Sequence, residues 1–198
     1  MEVFILIDKV NFVFSDDITA VNKEQYNEHL KLYEGYVTKI NEIDQLLKND
    51  SKRQDANATY SHYRALKRGE TFAMDGIILH ELYFENMGGN SNGLDFMNAQ
   101  CFKESFPSME EWKEDFIATA KASRGWAILA FDQRSKMFRN CSLDAHDVGN
   151  ITLSYPIIVL DVYEHAYFYQ YGTDKVKYIN NFMNNINSDI VNQRIKRL

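Results

Sequence analysis

Residues 156–167 read PIIVLDVYEHAY and change from one kind of structure to another within a few positions. The first five residues are apolar and mostly β-branched, which is typical of a buried strand. After them aromatic residues recur at helical spacing. Asp161 therefore leaves the end of a strand just as His165 enters a helix. A carboxylate and an imidazole four residues apart across such a turn can converge on one first-row metal ion.

A second interpretation of this stretch is equally open at this point. An Asp that follows a strand often caps the next helix, and a nearby His can be an ordinary partly buried residue. The rest of the chain has to decide between a metal ligand and a helix cap.

Composition narrows the class of protein. The chain has 198 residues, 45% of them hydrophobic and 14% aromatic, which suits one compact unit or two small units that share an interface. The net charge of -6, without a basic stripe, argues against nucleic acid as a partner.

Targeting signals are not evident. The apolar run of residues 1–7 stops at Asp8 and lacks a basic start, so we do not interpret it as a signal peptide. No run has membrane-spanning length, so we expect no membrane partner. Cys101 and Cys141 are too few for a disulfide framework, which favours a reducing, cytoplasmic location.

The first half of the chain predicts a pair of long helices. We expect residues 1–21 to be an irregular lead-in, followed by an antiparallel α-hairpin domain at residues 22–90. The first helix begins after Asn22 as N-cap, and its aromatic-rich face carries Tyr26, His29, Leu30, Tyr33, Tyr36, Val37, Ile40, Ile43 and Leu47. After a polar turn at residues 49–57, the second helix runs from about Ala58 through Tyr83. Its inward positions are Tyr63, Leu66, Phe72, Ile77, His80 and Phe84.

The second half, residues 91–198, predicts a C-terminal α/β domain. The loop GGNSNG at residues 88–93 separates it from the hairpin. Short helical structure around residues 94–101 precedes a helix that starts at the capping box of Ser108 and runs to about Ala122. Strands follow at residues 126–131, 136–142 and 157–160, and helices close the chain. The fold class is therefore α+β, with a three-stranded antiparallel sheet.

Two further histidines extend the candidate site. His29 lies mid-helix on the aromatic face of the first helix, and His80 has the same kind of position on the second. With Asp161 and His165 they make three imidazoles and one carboxylate, a set that suits manganese, iron, zinc or copper. An open coordination position could then hold water or a small anion. For each histidine taken singly, an ordinary core residue is the alternative.

Several motifs in this order resemble one known family. The sequence DVYEHAY at residues 161–167 resembles the C-terminal signature of the iron/manganese superoxide dismutases, with Tyr163 where the family usually has Trp or Phe. The sequence ILHELYFEN at residues 78–86 resembles the family's second-ligand segment, and RGWA at residues 124–127 resembles the start of its sheet. His29, followed by LYEGYV at residues 32–37, is similar to the first-ligand helix. The resemblance covers roughly residues 22–190.

The resemblance implies a set of metal ligands and neighbouring side chains. The four ligands would be His29, His80, Asp161 and His165, holding one Fe or Mn ion per subunit. Residues that wall the site would be Tyr33, Tyr83, Trp126 and Tyr163, although each of them could equally be a plain core aromatic. Glu164 would pair with the last His ligand of another subunit, which implies a homodimer or a tetramer.

The resemblance also implies catalytic roles for Tyr36 and His146. Tyr36 would lie at the mouth of the substrate channel. In this family a Gln or His hydrogen-bonds the solvent molecule at the metal, either from the second helix or from the sheet. The helix position is Gly76 in this chain, and the sheet-side candidate is His146. Gly76 has no side chain to make this hydrogen bond, and His146 can make it from the sheet side, so the two positions complement each other.

Three departures from the family pattern stand out. His29 and Tyr36 are seven residues apart instead of eight, a change that the loss of a π-bulge can absorb. The family's outer proton relay would have a His near Leu32 or Tyr33 and a Tyr at Phe168, and both are missing. Lys175 stands where an Arg is usual. The first 21 residues match nothing in the family pattern.

The implied activity is dismutation of superoxide to oxygen and hydrogen peroxide. The net charge of -6 opposes an anionic substrate, so we expect local steering, with Lys31 and Lys175 as candidates; Lys31 could equally be a solvated helix lysine. A non-dismuting metalloenzyme with the same ligands and a scaffold that has lost catalysis are the alternatives. The sequence leaves open iron against manganese and dimer against tetramer.

Overall fold

The computed structural model describes residues 6–48, 53–95 and 100–198, and it confirms the α+β class. Two long helices come first, α1 (Lys23–Leu47) and α2 (His62–Asn86). After a 3₁₀ turn at Ser91–Gly93 come α3 (Gln100–Ser105) and α4 (Met109–Ala122). The sheet consists of β1 (Trp126–Asp132), β2 (Met137–Leu143) and β3 (Ser154–Asp161). The chain closes with α5 (Glu164–Tyr171), α6 (Lys175–Asn184) and α7 (Ser188–Ile195).

The long helices begin at side-chain caps. Asn22 Oδ1 accepts a hydrogen bond from the backbone N–H of Gln25 at 2.8 Å, as the sequence predicted. The second helix begins later than predicted, at His62, with Ser61 as its cap. The reason is local: Asn57 Oδ1 accepts from the N–H groups of Thr59 and Tyr60, which folds residues 57–60 into a turn.

The three strands form one antiparallel sheet in the order β2-β1-β3. Every residue of β1 from Trp126 to Phe131 is buried, because helices cover the central strand. Pairing of β1 with β3 starts at Trp126 opposite Asp161 and shifts register between Leu129 and Ala130. Asp161 therefore ends its strand beside the start of β1, deep in the protein.

The predicted inward face of α1 is confirmed at most positions, since its buried members are Tyr26, His29, Tyr33, Val37, Ile40 and Ile43. On α2 the prediction is wrong for Phe72, whose side chain is 37% exposed. The helix prediction around residues 94–101 lies partly outside the described residues, and the described helix continues to Ser105. Parts of the predicted lead-in and of the turn at 49–57 also lie outside them. The predicted domain boundary remains a prediction.

The lead-in is irregular where it is described, yet it is firmly attached. Asn185, which is buried, accepts hydrogen bonds from the N–H groups of Thr19 and Ala20 at 2.9 and 3.1 Å. Its amide nitrogen donates to the carbonyls of Asp17 and Gly89 at 2.8 and 3.1 Å. One side chain at the end of α6 thus fixes both the lead-in and the loop that follows α2. Within the described ranges, no helix is long and apolar enough to cross a membrane.

Candidate metal centre

Four elements of the fold bring four possible metal ligands to one point. His29 comes from α1, His80 from α2, Asp161 from the end of β3, and His165 from the first turn of α5. Their candidate donor atoms all lie within 4.8 Å of one another. Asp161 Oδ2 is 3.1 Å from His29 Nε2, 3.2 Å from His165 Nε2 and 3.7 Å from His80 Nε2.

Burial of the four side chains is uneven. His80 and Asp161 are completely buried and His29 is 2% exposed, whereas the side chain of His165 is 31% exposed. The cluster is therefore closed by protein on three sides and reaches solvent on the side of α5.

The orientation of His80 is set by the backbone. Its Nδ1 lies 2.6 Å from the carbonyl oxygen of Gly76, which can only accept, so Nδ1 carries the proton. Nε2 is then a lone-pair donor. It is buried, and among the described residues it has no hydrogen-bond partner. An unpaired buried nitrogen aimed at a carboxylate and two imidazoles fits a bound cation.

Asp161 uses its two carboxylate oxygens differently. Oδ1 accepts from the backbone N–H of Tyr163 at 2.9 Å, and Oδ2 faces the three imidazoles. The helix α5 begins at Glu164 without a side-chain cap, so the capping interpretation of Asp161 fails, although a local turn bond exists. The carbonyl of Asp161 accepts from Tyr178 Oη at 2.8 Å.

Burial and charge keep the imidazoles of the helical half neutral. Burial lowers the pKa of His80 to about 3, and the neighbouring His29 adds to the effect. Burial also lowers the pKa of His29, although Asp161 opposes it. Burial alone would raise the pKa of Asp161, but His165 and His29 beside it bring that pKa well below the usual range. The helical half of the site therefore offers two neutral nitrogen donors beside one carboxylate anion.

Tyr36 and His146 form a hydrogen-bonded pair next to this cluster. Trp126 Nε1–H donates to His146 Nδ1 at 2.9 Å, so the proton of the neutral imidazole is on Nε2. Nε2–H in turn donates to Tyr36 Oη at 2.8 Å. The ring centroid of Tyr36 is 5.4 Å from that of His80. The predicted contact of His146 with a solvent molecule remains a prediction.

The shorter spacing in α1 does not keep Tyr36 away from the site. The helix is uninterrupted α-helix between His29 and Tyr36, and seven residues are about two turns. Both side chains therefore lie on the same face. Of the positions where the family relay would lie, Leu32 is 43% and Phe168 51% exposed, whereas Tyr33 is buried.

Three of the four predicted wall residues contact a candidate ligand. The ring centroid of Tyr83 is 5.1 Å from that of His29, Trp126 is 5.0 Å from His80, and Tyr163 stacks on His165 at 5.2 Å. Tyr33 lies farther out. Its ring is 6.3 Å from Phe84, and its hydroxyl donates to Glu81 Oε1 at 2.7 Å while it accepts from the N–H of Val10 at 2.8 Å.

The remaining predicted residues lie on the exposed side. Glu164 is exposed beside His165. A surface cleft beside His165 is lined by Glu164 and Lys175 among others, and Lys175 Nζ donates to the carbonyl of Ser123 at 2.8 Å. Lys31 is 67% exposed and pairs with Glu28 on its own helix at 2.5 Å, outside the residues that line this cleft.

Sequence reasoning missed three contributors to the centre. Gln25 is buried and its amide donates to the carbonyl of His165 at 2.6 Å. Tyr178 binds the carbonyl of Asp161, and the carbonyl of Gly76 holds His80. A signal existed only for Gln25, a polar residue one helical turn before His29 on an otherwise aromatic face. Backbone carbonyls leave no trace in a sequence.

Comparison with known proteins agrees with this geometry. Residues 97–194 match the model of iron/manganese superoxide dismutases, C-terminal domain. The chain is 39% identical over 186 residues to the Fe superoxide dismutase of Aquifex pyrophilus, covering 91% of this chain and 87% of the relative. It is 32% identical over 170 residues to Mn superoxide dismutase 1 of Halobacterium salinarum, covering 83% and 81%. The chain therefore belongs to the iron/manganese superoxide dismutase family.

Proposed function

We propose that the protein is a superoxide dismutase, which converts two superoxide anions and two protons into oxygen and hydrogen peroxide. The observation that carries the proposal is the convergence of His29, His80, Asp161 and His165 in a chain of this family. Three imidazole nitrogens and one carboxylate suit either Fe or Mn. One such ion per subunit, when bound, would supply the one-electron chemistry.

The chain's own residues orient the candidate ligands and supply the protons. Asp161 provides the one negative charge beside the ion, and the carbonyl of Gly76 fixes His80 in the tautomer that can bind it. Trp126 holds His146 so that its Nε2–H points at Tyr36. Since Tyr36 Oη accepts that hydrogen bond, its own proton is free to be donated.

The ionisation of these two groups fits a role in proton delivery. Burial, aided by the charge of Asp161, raises the pKa of Tyr36, so the phenol keeps its proton at neutral pH. Burial lowers the pKa of His146 to about 4, so the imidazole stays neutral and keeps its fixed tautomer. The product carries two protons that superoxide lacks. Tyr36 is therefore the proposed nearest donor and His146 the group that positions it.

We further propose that the face around His165 joins two copies of the chain. The support is local: His165 is the one candidate ligand with substantial exposure, and Glu164 next to it is exposed. A cleft of about 500 Å³ opens there and is lined by Tyr163, His165 and Lys175 among others. Glu164 of one copy would then bond His165 of the other.

The dimer proposal has its own test. Sedimentation of the Glu164→Ala protein should show a shift toward monomer, whereas the matched Glu110→Ala protein, altered on α4, should stay dimeric. If the unaltered protein sediments as a monomer, the dimer proposal is wrong, and the metal site is judged separately.

Two smaller proposals accompany the function. Lys175 lies at the cleft and would attract superoxide there; Lys31, paired with Glu28, is the weaker candidate for steering. A cytoplasmic location is supported by Cys101 and Cys141, both of which are unpaired.

Elemental analysis beside a superoxide assay tests the main proposal. The purified chain should contain about one Fe or Mn ion per subunit and should remove superoxide well above the rate of the metal-stripped protein. Reloading stripped protein with Fe or Mn separately should show which ion restores activity. Zinc without activity would indicate a different metalloenzyme. A full site without turnover would indicate a scaffold, the alternative suggested by the two missing relay residues, the His expected near Leu32 or Tyr33 and the Tyr expected at Phe168.

A further inference from the structure

His146 lies on an irregular loop, unlike the four candidate ligands and its hydrogen-bond partner Tyr36. The loop joins β2 to β3, whereas all four candidate ligands and Tyr36 belong to helices or to the end of a strand. A proton-relay geometry tolerates errors of only about 0.5 Å, and loops hold side chains less well than helices do. The position of His146 therefore needs support from outside its own loop.

Two hydrogen-bonded tethers connect this loop to α2, and both come from residues that follow His146 in the chain. Asp147 Oδ2 accepts from Arg68 Nη2 at 3.0 Å and from Thr71 Oγ1 at 3.2 Å. The Asp147 side chain is only 6% exposed, whereas its two donors lie at the surface, with Arg68 57% exposed.

The second tether uses one amide group twice. Asn150 Nδ2 donates to the carbonyl of His146 at 2.9 Å and to Asp75 Oδ2 at 3.2 Å. The backbone of the loop closes between them, since the N–H of Asp144 donates to the carbonyl of Val148 at 3.1 Å. The loop is therefore closed by its own backbone hydrogen bond and held to α2 at Asp147 and Asn150.

The contacts on α2 form a single face. Arg68, Thr71 and Asp75 follow one another at intervals of three and four residues, the spacing of neighbours on a helix surface. Between them Phe72 packs on His146 with ring centroids 4.4 Å apart. A Cβ at Gly76 would come within 3.3 Å of His146 Cδ2, so the missing side chain leaves the space that the ring fills.

We propose that Asp147 is a positioning residue that acts through His146, and that with Asn150 it latches the loop to α2 so that His146 meets Tyr36. The expected effect of Asp147 on the rate rests on the proposed dismutase function. The expected effect of Asp147 on the position of His146 does not rest on it. The Asp147 carboxylate bonds Arg68 and Thr71 on α2, neither of which is a candidate metal ligand, so we assign Asp147 no direct part in the chemistry.

The indole N–H of Trp126 provides a direct readout, because it donates to His146 Nδ1. The full-length protein is loaded with diamagnetic Zn²⁺, and the two indole N–H proton resonances are recorded. His146→Ala gives the value for an unbonded Trp126, and Trp112, whose Nε1–H donates to Asn140 at 3.2 Å, serves as the internal reference for folding.

We expect Asp147→Ala to move the Trp126 resonance toward its value in His146→Ala. Asp144→Ala, which removes the same charge from an exposed position of the same loop, should leave it in place. Asp147→Asn keeps a carbonyl acceptor for Thr71 and Arg68 and should largely restore the resonance. If Asp147→Ala does not fold, as judged by the Trp112 signal, Asn150→Ala must produce the same shift. An unmoved Trp126 resonance in a folded tether variant overturns the proposal.

Activity then tests whether Asp147 acts through His146. Asp147→Ala should lower kcat by about tenfold or more, since small misplacements near a reacting group are costly. In the His146→Ala background the same change should have no further effect. Additive losses would mean that Asp147 acts by another route. If the unaltered, metal-loaded protein shows no dismutation, the proposed function fails while the resonance experiment still decides the latch.

Discussion

At the scale of single residues, the carbonyl of Gly76 determines which ring nitrogen of His80 carries the proton and which one is available to a metal ion. In the hydrogen bond of 2.6 Å between them, Nδ1–H of His80 donates to the carbonyl oxygen. Nε2 therefore carries no proton and is a buried electron-pair donor. A satisfied core histidine would have used both nitrogens. The unpaired Nε2, more than the presence of a histidine, is the observation that supports His80 as a candidate metal ligand.

Replacement of His80 tests this assignment directly. His80→Ala should lower metal affinity by at least about 100-fold, because even groups that only orient a ligand contribute about 10- to 100-fold. Metal content per chain after dialysis is the measurement. His62→Ala, at the exposed start of the same helix, is the matched control and should keep its metal. Equal metal content in both variants would remove His80 from the ligand set.

A second residue-scale prediction concerns the space at Gly76. An added Cβ would lie 3.2 Å from Tyr36 Cγ and 3.3 Å from His146 Cδ2, and the two rings are hydrogen-bonded to each other. Gly76→Ala should therefore separate Tyr36 from His146 and reduce turnover at unchanged metal content. The gain in helix propensity, up to about 1 kcal/mol, should be cancelled by crowding.

Gly35→Ala is the control for that change, because nothing lies within 4 Å of its Cβ position on α1. It should raise the free energy of unfolding by about 0.5–1 kcal/mol and leave turnover unaltered. Equal activity in the two alanine variants would mean that the rings adjust, and that the Gly76 pocket does not matter for the reaction.

At the scale of elements, one buried cation of α7 connects that helix to two other elements of the fold. Arg194 is 4% exposed and donates to the carbonyls of Ile157 at 2.7 Å and Leu82 at 3.1 Å. It also donates to Asn86 Oδ1 at 3.2 Å and to Glu85 Oε2 at 2.8 Å. Contacts from a single guanidinium thus connect α7 to both α2 and β3, the elements that carry His80 and Asp161.

Loss of this guanidinium should cost more stability than loss of an ordinary surface charge. Arg194→Ala leaves buried carbonyls without a partner, and we expect the free energy of unfolding to fall by about 3 kcal/mol or more. Denaturant titration measures the change. Arg197→Ala, exposed one turn later, should change it by less than about 0.5 kcal/mol. A similar small effect at both positions would show that the buried contacts are replaced by water.

The elements also show what a sequence can and cannot predict. The cap at Asn22, the capping box at Ser108 and the strand that begins at Trp126 were predictable, because each depends on residues close in sequence. The start of α2 was misjudged, since the turn around Asn57 competes with the helix for the same N–H groups. The exposure of Phe72 was not foreseeable, because its partner His146 comes from a distant loop.

The candidate site divides in the same way. His29, His80, Asp161 and His165 could be named because imidazoles and carboxylates are rare on apolar faces and stand out. Their meeting point could not be derived from local patterns, because it depends on α1, α2, β3 and α5 packing together. The tautomer of His80 depends on the backbone carbonyl of Gly76, a group that every residue has and that a sequence therefore cannot single out.

At the scale of the whole molecule, the buried imidazoles make stability depend on pH. The pKa of His80 is lowered from 6.5 to about 3 by burial, and that of His29 is lowered as well. Below pH 6.5 these two histidines therefore bind protons in the unfolded chain but not in the folded chain, so the free energy of unfolding falls as the pH falls. The depressed pKa of Asp161 acts in the same direction at lower pH. His165, whose pKa is raised mainly by Asp161 against the effect of burial, opposes part of the loss.

We expect the free energy of unfolding of the metal-free protein to fall steadily as pH decreases from 6.5 toward 3. Each buried imidazole contributes a slope of at most about 1.4 kcal/mol per pH unit. Denaturant titrations at several pH values measure it. His80→Gln removes one titrating group, so its profile should be flatter than that of the unaltered protein. Parallel profiles would show that His80 takes up its proton without unfolding.

The anchoring of the lead-in by Asn185 has a consequence for protein engineering. The side-chain amide of Asn185, at the end of α6, forms hydrogen bonds with backbone groups of residues 17–20 and of Gly89. Backbone groups in the first half of the chain therefore depend on one side chain in the second half. A chimera that receives its first ninety residues from a relative will keep these bonds only if the recipient has an amide at position 185. Choosing crossover points by secondary structure alone would overlook that requirement.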